Sequence, residues 1–165
     1  MLPDIPGKLI QDRQYLSDLQ VTVMSLLEGE MNPKRFPGAQ PISFAGCHIQ
    51  DLRDENYLVS EKADGIRCLF FTRKLGDGNV ETFLIDRKNN YYQHPFGLPL
   101  PGGKKPHSNT ILDGELVLEK KKGVDKLMFM FFDALLVDGK LLINRSYNTR
   151  LGVCSWLLVI DLFSI

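Results

Sequence analysis

Two long apolar segments near the carboxyl end most constrain what this chain can fold into. They run from Thr110 to Glu119 and from Lys126 to Val137, and only Lys120 to Asp125 separates them. Their length and apolar content, with a short polar connection, predict two strands joined as a hairpin. We interpret the three consecutive lysines that open the connection as a solvated tip, because such charge runs serve solubility more often than ligand binding.

Shorter apolar segments, with turn residues between them, precede this pair. The predicted strands are Tyr57 to Val59, Ile66 to Thr72, Thr82 to Asp86 and one that begins at Tyr91 and Tyr92. The turns predicted between them are Ala63 to Gly65 and Lys88 to Asn90. Strands connected in this way indicate antiparallel pairing.

The segment from Asp12 to Glu30 has the apolar spacing of an amphipathic helix. Apolar residues recur there every three or four positions, which places them in one buried stripe, and Gly29 and Pro33 end the helix. Phe36 to Phe44 (FPGAQPISF) contains two prolines and a glycine and is predicted to be an extended connection. One helix followed by hairpin-connected strands predicts an α+β fold rich in antiparallel sheet.

Composition limits the classes of function. The chain has 165 residues, 44% of them apolar and 24% charged, which suffices for one domain with a real core. Lys plus Arg and Asp plus Glu number 20 each, so any contact with nucleic acid has to be local. The widely spaced cysteines and the amino end indicate a reducing, intracellular setting without a disulfide framework, a zinc site or a secretory signal.

The segment Glu61 to Arg67 (EKADGIR) carries the sharpest chemical signal. Lys62 lies at a strand end beside a turn glycine, where the backbone holds the residue and its amine can project into a cleft. Burial or neighbouring cations disfavour the protonated amine, which is what a nucleophilic lysine requires. Taken alone, the segment more often forms a hairpin turn with an exposed lysine.

Three further segments contain candidate site residues. The carboxylate of Glu115, between apolar neighbours, either meets a cation, a metal or a sugar hydroxyl, or faces solvent by simple alternation. Arg87 ends a strand beside Asp86, and it either donates to phosphate or ribose or pairs with a surface acid. One ring of Phe129 to Phe132 (FMFF) can stack on a base, although aromatic strands are more often core.

These segments occur together and in a recognisable order. Lys62 to Arg67 (KADGIR) matches the KxDGxR signature of the covalent nucleotidyltransferases, the superfamily of RNA capping enzymes and polynucleotide ligases. Asp113 to Leu116 (DGEL) and Phe132-Asp133 follow it as they do in that superfamily. Phe36 to Ser43 (FPGAQPIS) and Phe83 to Tyr92 (FLIDRKNNYY) resemble the eukaryotic, fungal-like mRNA guanylyltransferase branch.

The resemblance implies a covalent reaction centred on Lys62. By it, this lysine is the catalytic nucleophile that attacks the α-phosphorus of GTP, expels pyrophosphate and carries GMP to the 5′-diphosphate end of an RNA. Asp64 and Gly65 are implied to shape the turn that aims the amine, with the glycine permitting close backbone approach to the nucleotide. We expect Arg67 and Arg87 to lower the pKa of the Lys62 amine in the nucleotide-free site.

The other matching residues are implied to bind the nucleotide. Arg67 and Arg87 are expected to contact the ribose and the phosphates, and Glu115 the ribose or a metal ion. Phe132 resembles the ring that stacks on guanine. A divalent cation, Mg²⁺ or Mn²⁺, is implied as a countercharge for the phosphates.

The resemblance ends before the chain does. It runs from about Pro6 to Val153, so residues 1–153 are interpreted as part of a nucleotidyltransferase domain and residues 154–165 as a divergent hydrophobic tail. The family's later DG-containing strand, its further phosphate-contacting lysines and its C-terminal OB-fold domain are not found in the sequence. We therefore expect a truncated or alternatively read product with little or no capping activity alone.

Two other functions stay open. A fragment of an ATP-dependent polynucleotide ligase shares the lysine chemistry but uses adenylate. A non-catalytic interaction module of the capping machinery would bind its partners through exposed strand edges. For a capping enzyme, the resemblance further implies an RNA triphosphatase and the RNA polymerase II tail as partners, a nuclear location and no association with membranes.

Overall fold

The computed structural model describes residues 3–29, 32–60, 62–95, 106–121, 124–157 and 160–161. Within these ranges the chain forms three α-helices and eight strands. The helices are α1 (Arg13–Leu26), α2 (Ile49–Asp54) and α3 (Tyr147–Leu157), with a short 3-10 helix at Gly46–His48. The strands are β1 (Lys8–Leu9), β2 (Ile66–Lys74), β3 (Val80–Asp86), β4 (Tyr91–His94), β5 (Thr110–Lys121), β6 (Val124–Val137), β7 (Lys140–Leu141) and β8 (Ile160–Asp161).

All of these strands belong to one antiparallel sheet. Its order is β1-β4-β3-β2-β5-β6-β7, and β8 also pairs with β6. The predicted α+β class and the predicted β5–β6 hairpin are confirmed, as are the strands expected within β2, β3 and β4. Because β2 lies between β3 and β5, its first residues lie beside the end of β3 on one side and beside the middle of β5 on the other.

Helix α1 covers one face of the sheet. Asp12 caps it by accepting a hydrogen bond from the Tyr15 N–H at 2.8 Å. Leu19, Val23 and Leu27 are buried against apolar side chains of β2, β3 and β5, and each such burial contributes roughly 1.5–3 kcal/mol. The helix predicted from the apolar spacing is therefore confirmed, and its buried stripe holds it on the sheet.

The opposite face of the sheet has its own apolar cluster. Phe70 of β2 lies edge-on to Phe129 and Phe131 of β6, with ring centroids about 6 Å apart. Cys154 of α3 is buried in the same cluster, and Val153 packs against it. Helix α3 thus continues through the predicted start of the tail, and residues 158–159 and 162–165 lie outside the described part of the chain.

The strand predicted at Tyr57 to Val59 is wrong. These residues form no strand, and 98% of Val59 is exposed. Both edges of β2 are already hydrogen-bonded, to β3 and to β5, so the sheet has no place beside β2 for a further strand. The segment before Tyr57 instead contains the 3-10 helix and α2, which the sequence analysis did not predict.

Residues 96–105 of the predicted loop from Pro95 to His107 lie outside the described part of the chain. Of the predicted connection from Lys120 to Asp125, only residues 122–123 lie outside it. Lys120 pairs with Asp125 and Lys121 with Val124, so β5 and β6 are longer, and the connection shorter, than predicted. The three cysteines are free thiols. Among the described helices, none combines the length and the apolar content that crossing a membrane requires.

Candidate functional site

An open cleft of about 740 Å³ lies where the start of β2 and the end of β3 meet the middle parts of β5 and β6. Of the predicted site residues, it is lined by Lys62, Gly65, Arg67, Arg87, Glu115 and Phe132. The other lining residues are Ile5, Ala39, Gln40, Pro41, Ile66, Asp86 and Lys88. Asp64 does not line the cleft, but it contacts Lys62 beside it.

Lys62 is exposed, and its amine is held by a neighbouring acid. The side chain is 84% accessible, and Nζ donates a hydrogen bond to the Asp64 carboxylate at 2.6 Å. This hydrogen bond and the charge of Asp64 raise the pKa of Lys62, and Glu115 adds to the rise. The predicted lowering of the amine pKa is therefore wrong in this nucleotide-free form.

The reason is the placement of the two arginines. The Asp113 carboxylate neutralises the guanidinium of Arg67, and Arg87 is an exposed residue in the turn that follows β3. The acid that is two residues away in sequence is instead the group closest to the amine. A lysine that is hydrogen-bonded to a carboxylate keeps its proton more firmly.

Gly65 ties the turn that carries Lys62 to β5. Its N–H donates to Glu115 Oε1 at 2.7 Å. A Cβ on Gly65 would lie 2.0 Å from the Leu116 carbonyl oxygen, so only glycine allows the turn to approach β5 this closely. Glu115 thus holds the turn by one carboxylate oxygen, a role that the interpretation as a solvated alternating residue does not include.

Arg67 is fixed on several sides. Nε and Nη2 donate to the Asp113 carboxylate at 3.0 Å and 2.6 Å. The guanidinium carbon lies 5.4 Å from the ring centroid of Phe36 and 5.9 Å from that of Phe132, distances at which cation–π attraction contributes. Arg67 therefore enters the cleft as a rigid group rather than a mobile one.

Asp113 contacts Arg67 at the site, although the sequence pattern predicted no role for it. Its side chain is only 3% accessible. Burial raises the pKa of Asp113, while the pairing with Arg67 opposes that rise, and the same hydrogen bonds raise the pKa of Arg67. An acid inside an apolar strand was the available signal, but its partner lies 46 residues away in sequence.

Phe132 reaches the cleft because β6 is irregular at this point. Phe131 pairs with Gly114 and Asp133 pairs with Asp113, so Phe132 has no partner on β5. This β-bulge turns the ring out of the alternating pattern, and 36% of the residue is exposed on the cleft. Phe129 is fully buried, as expected for core.

Asp86 organises the turn that presents Arg87. Its carboxylate accepts hydrogen bonds from the N–H groups of Lys88 and Asn90 at 2.8 Å and 2.9 Å, and from the Asn90 amide at 2.9 Å. Asp86 is thus engaged by the turn, and Arg87 stays exposed along the cleft. The geometry agrees with a free guanidinium more than with a surface ion pair between these neighbours.

The acids near the cleft differ in what they can offer a metal ion. Asp113 binds Arg67, and Asp133 binds Arg150 of α3 at 2.7 Å. Among the described residues, no three His, Cys, Asp or Glu side chains lie close enough together to form a metal site. Glu115 remains, with one oxygen on Gly65, and this fits Mg²⁺ held by one carboxylate together with substrate phosphates.

The family model for the mRNA capping enzyme catalytic domain matches residues 3–158. The chain is 38% identical to the mRNA-capping enzyme subunit alpha of Schizosaccharomyces pombe over 157 residues, which cover 90% of the chain and 38% of that protein. It is 42% identical to the Neurospora crassa subunit alpha over 128 residues, which cover 73% of the chain and 32% of that protein.

A vertebrate protein is also similar. The mRNA-capping enzyme of Danio rerio is 36% identical over 125 residues, which cover 74% of the chain and 20% of that protein. The chain thus spans about two fifths or less of the length of these relatives. The family model extends five residues beyond Val153, and the division of the chain at that residue stays a prediction.

Proposed function

The chain belongs to the family of mRNA capping enzyme catalytic domains, and we propose that its cleft is a guanylyltransferase site. In this proposal the cleft binds GTP, Lys62 takes up GMP with release of pyrophosphate, and the GMP passes to the 5′-diphosphate end of an RNA. The supporting observation is that Lys62, Arg67, Arg87 and Glu115, which come from three separate segments of the chain, line one cleft.

The Lys62 amine has to change its state before it can attack. A protonated amine has no free electron pair, and the contact with Asp64 favours that protonated form. The proposal therefore includes a step in which Nζ leaves Asp64 and releases its proton to the water around this exposed side chain. The amine then forms the bond to the α-phosphorus, and the bond from that phosphorus to the pyrophosphate oxygen breaks.

The remaining cleft residues bind and orient the nucleotide. Phe132 offers an exposed ring for stacking on guanine. Arg87 offers a free guanidinium for the phosphates, and the fixed guanidinium of Arg67 lies beside the Phe132 ring. Glu115 would hold Mg²⁺, which supplies positive charge to the phosphates when it is bound.

The cellular setting belongs to the same proposal. A guanylyltransferase acts on an RNA end that carries two phosphates, so a triphosphatase reaction has to prepare that end. An RNA triphosphatase, the RNA polymerase II tail and a nuclear location follow from the proposed role in capping.

Incubation with labelled GTP and Mg²⁺, followed by denaturing electrophoresis, tests the covalent step. A labelled band that is lost in Lys62→Ala and in Lys62→Arg supports the proposal, and its yield should rise with pH as the amine loses its proton. A band that persists in Lys62→Ala overturns it. The same assay tests the expectation of little or no activity for this chain alone.

The two alternative functions are separated by nucleotide and partner binding. Preferential labelling from ATP would support a polynucleotide ligase, although the relatives found are capping enzymes. Binding of an RNA triphosphatase by Lys62→Ala, with no affinity for any nucleotide, would support the interaction module.

A further inference from the structure

A second, smaller pocket of about 410 Å³ adjoins the cleft. It is lined by Lys34, Arg35, Phe36, Gln40, Arg87 and Lys88. Gln40, Arg87 and Lys88 also line the cleft, so the two cavities share one wall. We refer to the smaller cavity as the basic pocket.

The charge of the basic pocket has a single sign. Four of the six lining residues are cations, and no carboxylate is among its described lining residues. Lys34, Arg35, Arg87 and Lys88 are all exposed, and none of them forms an ion pair with a described acid. A concave surface lined by one sign of charge concentrates counterions, so the pocket favours an anionic ligand.

The two walls of the basic pocket are held at a fixed separation. The Asn89 side-chain amide donates to the Pro33 carbonyl oxygen at 2.9 Å, and Asn89 is buried. On one side, Asn32 folds the Lys34–Arg35 turn by accepting from the Lys34 N–H at 2.9 Å. On the other side, Asp86 fixes the turn that bears Lys88. The cations are thus presented by braced turns, which reduces the ordering needed on binding.

We propose that the basic pocket binds a backbone phosphate of the RNA that accepts the GMP. This inference rests on the proposed guanylyltransferase function. The 5′-diphosphate of the acceptor RNA has to reach the phosphorus attached to Lys62 inside the cleft. The nucleotides that follow this 5′ end in the RNA have to leave through the rim of the cleft. The shared wall at Gln40, Arg87 and Lys88 leads from the cleft directly into the basic pocket.

An RNA phosphate fits this position better than a protein ligand does. Phosphate contacts fix the register of a strand without reading its sequence, which suits an enzyme that has to accept many transcripts. A phosphopeptide has the same charge chemistry but has no reason to run continuously into the nucleotide cleft.

Fluorescence anisotropy with a 5′-diphosphate oligoribonucleotide tests the inference on the full chain. Lys34→Ala/Arg35→Ala should raise the Kd at least tenfold. The matched control is Lys8→Ala/Lys140→Ala, which removes two exposed lysines from β1 and β7 and should change the Kd less than twofold. Loss of this phosphate contact should also lower the slope of log Kd against log salt by about 0.7, the value for one phosphate on a single strand. Lys88→Ala, on the opposite wall, should weaken binding in the same direction.

Three results would overturn the inference. The first is a Kd for RNA in Lys34→Ala/Arg35→Ala that equals that of the control. The second is an equal loss of affinity for GTP or pyrophosphate, which would assign the pocket to the nucleotide. The third is a phosphoserine peptide that binds more tightly than RNA of equal charge and depends on the same two residues.

The inference and the proposed function fail separately. RNA binding that depends on Lys34 and Arg35, in a chain that binds no GTP, sustains the pocket and removes the proposed reaction. If GTP labels Lys62 but RNA binding does not depend on Lys34 and Arg35, the proposed reaction is supported and the inference about the basic pocket fails.

Discussion

The Glu115 carboxylate accepts a hydrogen bond from the Gly65 N–H at 2.7 Å, although the two residues lie 50 positions apart. This contact fastens the short turn that bears Lys62 to the middle of β5. A hydrogen bond to a charged acceptor stabilises a protein by about 1.5–3 kcal/mol. The position of the proposed nucleophile is therefore set by a residue on a different strand.

Substitutions of Glu115, which accepts the Gly65 hydrogen bond, should destabilise the turn that bears Lys62 to different degrees. Glu115→Ala removes the acceptor and should lower the free energy of unfolding by about 1–2 kcal/mol, whereas Glu115→Gln keeps a neutral oxygen and should lose less. Hydrogen exchange at the Gly65 amide should accelerate in the same order, which NMR can follow. Glu55→Ala, at an exposed site outside the cleft, serves as the control. Unchanged exchange at Gly65 in Glu115→Ala would contradict the role of this contact.

The close approach of Gly65 to β5 predicts a sharp difference between two glycines. Gly65→Ala places a Cβ 2.0 Å from the Leu116 carbonyl oxygen, so the turn has to move and the free energy of unfolding should fall by about 1–3 kcal/mol. A Cβ on Gly76 meets no atom within 4 Å, and Gly76→Ala should leave stability unchanged or slightly raised. Urea denaturation measures both, and equal stabilities for the two variants would refute the predicted crowding.

The Arg67–Asp113 ion pair should contribute more to the free energy of unfolding than the Arg73–Glu81 ion pair, whose arginine also belongs to β2. Arg67→Ala leaves a carboxylate of 3% accessibility without a cation, and we expect a loss of about 3 kcal/mol at neutral pH. Arg73→Ala leaves Glu81 without its cation. Because the Glu81 side chain is 20% accessible, water can hydrate its carboxylate, and the free energy of unfolding should fall by only about 1 kcal/mol. Similar losses in the two variants would argue against burial as the cause.

The pH dependence of the Arg67→Ala variant has a defined sign. Burial raises the pKa of Asp113 above its ordinary value, and without Arg67 only the weaker effect of the Gly114 backbone hydrogen bond opposes the rise. The folded chain then holds the proton more tightly than the unfolded chain does, so stability should fall as the pH rises through the interval between the two pKa values. The loss relative to the native chain should accordingly shrink under mildly acidic conditions. Asp113→Asn in the same background should abolish this dependence.

The three thiols should differ in reactivity. Burial raises the pKa of both Cys68 and Cys154 to about 12, whereas Cys47 is exposed. Because the thiolate is the reactive form, a thiol reagent at pH 8 should modify one cysteine in the folded chain and three after denaturation. Cys47→Ser should remove the fast reaction. Rapid modification of Cys154 would show that α3 does not cover the sheet as described.

The sequence predicted those elements whose apolar residues recur at a regular spacing or in a long run. The spacing of apolar residues located α1, and the long apolar segments located the β5–β6 hairpin. Motif order also selected residues that line one cleft, because the motifs lie on or next to β2, β3, β5 and β6, which are adjacent in the sheet.

The sequence did not predict features that depend on three-dimensional pairing. The partner of Asp113 lies on another strand, and the exposure of Phe132 depends on a bulge in β6. The expected effect of Arg67 on Lys62 was wrong because Asp113 neutralises that arginine. The segment Tyr57 to Val59 has the composition of a strand, but β2 has no free edge beside it.

The central claim, that this cleft holds a guanine nucleotide against Lys62, is tested most directly by an NMR titration. The isotope-labelled chain is titrated with GTP in the presence of Mg²⁺ while its backbone amide signals are recorded, and ATP is titrated in parallel. We predict that GTP shifts the amides of Gly65, Glu115 and Phe132 at lower concentrations than ATP does. Saturating GTP that leaves these three amides unmoved, or that moves only signals from elsewhere in the chain, would contradict the account.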